Sequence, residues 1–187
     1  MKKIMFNDRY GLTQAVLEGR KNMTRRIIPA DVAEKLIIQG DEFFPTIPCV
    51  GLKSHFKIGE VVAVAQSYES IHNESMAGDY WDEKYEAFRN ANVADTKGWS
   101  NKMFVRADLM PHQIRITDIR IERLQDISEE DCLREGIEKD GDVYSFNDYE
   151  GYNTPQLAFK SLINRVSGRG TWEMNPYVFV YTFELVK

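Results

Sequence analysis

The sequence predicts an α+β fold built on a mixed sheet or small β-barrel. Strand-like spacing of apolar residues recurs in several short segments. Helical spacing is confined to a few others, and the two do not alternate as they would in a regular parallel α/β protein. The 187 residues are 43% hydrophobic and 12% aromatic, enough for a substantial core. Ten Phe, nine Tyr and three Trp exclude a disordered chain.

Taken in order, Lys2 to Phe6 reads as a short first strand. Residues 8–18 carry Leu12, Ala15, Val16 and Leu17 at helical spacing, with Gly19 as the stop. Met23 to Ile28 is a strand ended by Pro29. A short helix is expected from Asp31 to Gln39, closed by Gly40, and Pro45 and Pro48 mark an irregular stretch. Lys57-Ile-Gly-Glu60 is a tight turn into the apolar strand Val61 to Ala65. From Ile71 to Asn101 the chain is polar and aromatic, read as partly helical.

Ile114, Ile116, Ile119, Ile121 and Leu124 then alternate with polar residues. The alternation slips by one at Thr117-Asp118, so two strands or a bulge are expected there. Ile127-Ser-Glu-Glu-Asp131 is a capping box for a short helix that stops at Gly136, with Ile127 placed to staple against Cys132. Thr154-Pro155 opens another helix, whose stripe is Ala158, Phe159, Leu162, Ile163 and Val166 and whose end is Gly168. Gly168-Arg-Gly170 reads as a turn. After Pro176 comes a long strand with an aromatic at every second residue.

The longest apolar run is five residues, far below a bilayer span, and the N-terminal apolar segment is too short for a signal peptide; a cytoplasmic protein with no membrane partner is expected. Cys49, Cys132 and the three histidines are scattered, so neither a disulfide framework nor a metal site is expected, and no cofactor motif stands out. A net charge of −5 argues against gripping long duplexes and leaves room for a local basic pocket.

That basic feature is the heptad Arg20-Lys-Asn-Met-Thr-Arg-Arg26, four of whose residues are cationic. Its plainest role is a charged edge strand. In an extended 23–28, Thr24 and Arg26 share one face while Arg25 points to the other, so Arg26 is expected beside Thr24 at a pocket. Lys21, desolvated near a second cation, would lose proton affinity and form a base and nucleophile pair with the Thr24 hydroxyl. Glu135 closes a short helix, where the helix dipole disfavours a carboxylate; a surface glutamate or a partner for Lys21 or Arg26 would both fit.

Gly19-Arg-Lys-Asn-Met-Thr-Arg-Arg26 resembles the Gly-x-Lys-x-x-Thr-x-Arg signature of ASCH domains, relatives of the PUA fold. Phe56-Lys-Ile-Gly-Glu-Val-Val62, the segment 119–137 and the closing strand 176–184 resemble further family segments in the same order, and the variety found in phages and prophages is the most similar. The resemblance implies one ASCH/PUA-like domain over 1–187, a small barrel with flanking short helices and insertions at 70–105 and 138–153.

It also implies RNA, nucleotide or modified-nucleoside binding in a cleft lined by Arg20, Lys21, Arg25 and Arg26, with Tyr68 or Trp99 stacking a base. One bacterial branch removes the acyl group from N4-acetylcytidine, and its lysine, threonine and glutamate correspond to Lys21, Thr24 and Glu135. A phage-related protein-interaction module using Tyr80, Trp81, Tyr85 and Phe88 is the third reading; packing of these rings into a satellite core is its alternative.

Overall fold

The computed structural model describes residues 1–37, 54–146 and 150–186. Seven strands occur among them: β1 (Lys3–Ile4), β2 (Met23–Ile27), β3 (Val61–Val64), β4 (Gln113–Arg123), β5 (Glu138–Asp140), β6 (Val143–Ser145) and β7 (Tyr177–Val186). Five form one mixed sheet in the order β1, β3, β4, β7, β2, with β1 and β3 parallel and the other pairs antiparallel. β5 and β6 form a separate hairpin, extended by a bridge between Tyr144 and Tyr152.

The α+β class is as expected, but among the described residues the sheet is open rather than a closed barrel. β1 and β2 are its two edges, and no ladder joins them. Backbone pairing stops at β1 because only two of its residues are extended. A side chain spans the opening instead: Arg26 of β2 donates from Nη2 to the Met5 carbonyl just beyond β1, at 2.7 Å.

Seven α-helices accompany the sheet among the described residues: α1 (Leu12–Leu17), α2 (Ala30–Ile37), α3 (Tyr68–Ala77), α4 (Glu86–Arg89), α5 (Glu129–Arg134), α6 (Pro155–Ser167) and α7 (Thr171–Met174). Their ends follow local chemistry. Ser128 caps α5 by accepting from the Asp131 N–H, and Thr154 caps α6 by accepting from Leu157 N–H. Expectations for Gln39, Gly40, Pro45, Pro48 and Cys49 lie outside the described residues.

The slip at Thr117 is a bulge within one continuous strand: Ile116 pairs with Phe183 and Asp118 with Thr182, leaving Thr117 as the extra residue. Ile119 and Ile121 therefore stay opposite Tyr181 and Phe179, while Arg120 and Glu122 lie opposite Val180 and Val178. Two apolar clusters result. The larger joins Ile114, Ile116, Val178, Val180 and Phe183 to α1, α5 and α6, and it contains both Ile127 and Cys132. Val166 is the exception on the α6 stripe, being 38% exposed.

The second cluster packs Ala63 and Ala65 against Tyr68, Ile71, Tyr85, Phe88, Leu109 and Met110. Tyr85 and Phe88 are thus satellite-core residues, which corrects their place in an exposed aromatic docking patch. Trp81 remains 76% exposed beside Tyr80.

Candidate functional site

The loop after α1 brings Lys21 inward. Gly19 takes a φ of +75°, Lys21 N–H donates to Ala15 O, and Asn22 N–H donates to Arg134 O at the end of α5. Arg134 Nε returns a bond to Asn22 Oδ1. These bonds clamp the loop between α1 and α5. Gly136, with φ +100°, lies so close that a Cβ there would stand 3.6 Å from Lys21 Cβ and Cδ.

Lys21 is consequently buried, with its ammonium on Glu135: 2.6 Å to Oε2 and 2.7 Å to the backbone carbonyl. Burial lowers the Lys21 pKa from its ordinary value, and the charge and hydrogen bond of Glu135 only partly oppose that. The other carboxylate oxygen of Glu135 accepts from Arg25 Nη1 at 3.1 Å. Arg25 in turn donates to Glu122 at 2.5 Å and to Asp131 at 2.9 Å, and Arg120 bonds both of those carboxylates. Burial disfavours the charged guanidinium, but Glu135, Glu122 and Asp131 more than offset this and its pKa is raised.

A cavity of about 290 Å³ opens over this network, lined by Phe6, Lys21, Thr24, Arg25, Arg26 and Glu135, with Phe159 and Leu162 of α6 as its apolar wall. Thr24 is 5% exposed, and among the described residues nothing hydrogen-bonds its hydroxyl. Arg26 has no carboxylate within ion-pair distance among the described residues, and its guanidinium lies 5.8 Å from the Phe6 ring centroid.

Lys21, Thr24, Arg25, Arg26 and Glu135 are therefore neighbours on one cavity. Arg25 departs from the strand-alternation expectation, which sent it away from Thr24. β2 is a sheet edge, and a cavity wrapped around an edge collects side chains from both faces. Arg20 lies outside, paired at the surface with Glu18 and Glu138. Tyr68 is a correction: it is 2% exposed in the second cluster, and its hydroxyl accepts from the Arg106 N–H at 2.9 Å, so it offers no free face for a base. Trp99 packs against the same cluster.

Sequence reasoning missed Glu122, Asp131 and Arg120, because strand order was not readable from it. It also missed Phe6 and the α6 wall. The bulge at Thr117, which leaves Glu122 on the Arg25 face, was the available signal.

No family model and no curated protein matches this sequence. Among solved structures, it is similar to the crystal structure of an ASCH domain from Lactobacillus crispatus JV V101, at 13% identity over 93% of this chain and 69% of that one, with a TM-score of 0.41. Among the described residues, no helix is long and apolar enough to cross a membrane.

Proposed function

We propose that this chain is an ASCH-type, PUA-like domain, and that it binds a nucleotide or modified nucleoside, free or within RNA, in the cavity over Lys21. The reading rests on one observation. A cavity of about 290 Å³, near the lower end of the ~300–1,000 Å³ typical of small-ligand clefts, gathers a buried Lys21–Glu135 pair, a Thr24 hydroxyl with no hydrogen-bond partner among the described residues, and an Arg26 guanidinium that has no carboxylate partner among them. An apolar wall with a few convergent polar groups suits a flat, hydrogen-bonding base, and Arg26 suits its phosphate. Titrating the four nucleoside 5′-monophosphates and short RNA oligomers at low salt tests it. Binding that weakens in Arg26→Ala, with no small product released, is the expected result; absence of binding across the panel would end the reading.

A second reading is favoured by the Thr24 hydroxyl, which has no hydrogen-bond partner among the described residues and lies on the same cavity as Lys21. In it the chain is an amidohydrolase acting on an N4-acylated cytidine. The threonine oxygen adds to the amide carbonyl carbon as its proton passes to a neutral Lys21 amine. The C–N bond breaks, Lys21 and Glu135 return the proton to the departing amine, and water hydrolyses the acyl-threonine ester. Arg26 faces the developing oxyanion. Product formation from N4-acetylcytidine, abolished in Thr24→Ala, decides between the two readings.

A further inference from the structure

The opening between the edges β1 and β2 holds a second cavity, of about 410 Å³, beside the first. Arg26 lines both, as do Met5 and Ile27, so the guanidinium with its bond to Met5 O is the ridge that separates them. The lining differs sharply across that ridge. Where the first cavity has buried charges, the second has rings: the half-buried Phe179, backed by the buried Phe56 and Tyr181, with the exposed His55 beside them. Phe56 meets Tyr181 edge-on at 5.2 Å, Phe179 lies 5.9 Å from Tyr181, and Ser54 Oγ holds the Tyr181 hydroxyl at 2.9 Å.

The cations of the heptad are also unequal. Arg20, Lys21 and Arg25 are each paired with carboxylates, whereas among the described residues Arg26 gives one N–H to a neutral carbonyl and has no carboxylate partner. A guanidinium without a carboxylate partner among the described residues, set between a polar cavity and an aromatic one, matches a chain of alternating flat rings and phosphates.

We infer that the aromatic cavity is a second nucleotide subsite, so that the ligand is a single-stranded segment of two consecutive nucleotides, with the linking phosphate on Arg26 and the neighbouring base against the half-buried ring of Phe179. This rests on the nucleotide-binding reading above and extends it from one nucleotide to two.

The test compares the four nucleoside 5′-monophosphates with the four 5′-phosphorylated homodinucleotides by calorimetry on the whole chain, using wild type, Phe179→Leu and His55→Ala. Leucine keeps most of the Phe179 volume and removes the stacking face. The preferred dinucleotide should bind wild type at least about tenfold more tightly than its mononucleotide, the scale of one base on an aromatic platform. In Phe179→Leu that ratio should fall to near one, and His55→Ala, at an exposed position, should lower it in the same direction. The inference is overturned if wild type binds mononucleotide and dinucleotide equally, or if both variants keep the ratio. It is equally overturned if both ligands weaken in parallel. If no nucleotide of either length binds, the nucleotide-binding reading falls with it.

Discussion

Glu135 holds two cations at once, and its replacement exposes what each of them costs. Without it, the buried Lys21 ammonium keeps, among the described residues, only a backbone carbonyl as hydrogen-bond partner, and Arg25 loses one of its three carboxylates. Breaking one partner of a buried pair typically costs ~3–5 kcal/mol, so Glu135→Ala should lower the unfolding free energy measured in urea by about that amount. Thr24→Ala removes a hydroxyl that bonds nothing among the described residues and should cost about 1 kcal/mol or less. A Glu135→Ala variant as stable as wild type would mean that the ion pair does not form. At this scale, the alternation of β2 correctly put Thr24 and Arg26 on one face. It misplaced Arg25, because a Cβ direction says nothing about how far a guanidinium reaches, or whether the strand is an edge.

Helix α5 and the residue that follows it act as a single positioning device. The capping box and its glycine stop were legible as sequence signals, and so were α6 and the bulge, because each is set by residues within one turn. The order of strands was not legible, since pairing joins positions as distant as Thr24 and Tyr181. At Gly136 a Cβ would find ordinary van der Waals spacing, but the backbone φ of +100° is hostile to any L side chain. Gly136→Ala should therefore cost about 1–3 kcal/mol in thermal melts and disturb Lys21 along with it.

In the second cluster, Glu74 of α3 accepts from Tyr85, His112 and Gln66. Burial raises its pKa, but those hydrogen bonds outweigh burial and bring it down to about 2. A carboxylate depressed by folding contributes stability that is present above its unfolded value of about 4.5 and is lost as pH falls towards about 2. Chemical denaturation between pH 5 and 2 should show this loss, and Glu74→Gln should flatten it; an unchanged slope in the variant would remove Glu74 as the cause.

Over the whole molecule, a net charge of −5 coexists with a cavity whose accessible cation is Arg26. Under the proposed nucleotide-binding reading, long-range attraction to nucleic acid is therefore weak, and salt dependence should report only the few phosphates held locally. For single strands each contact contributes a slope of about −0.7 in log K against log salt, so a shallow slope near one or two contacts is expected, reduced by about 0.7 in Arg26→Ala. A steep slope would point to a broad basic surface instead. The bulge at Thr117 has a bearing on kinship between chains. Because Ile116 and Asp118 face consecutive residues of β7, a relative lacking one residue here would keep the same cross-strand partners and differ only in the curl of its strand. A one-residue gap at this position in a future alignment would record a change of curvature and leave the shared architecture intact.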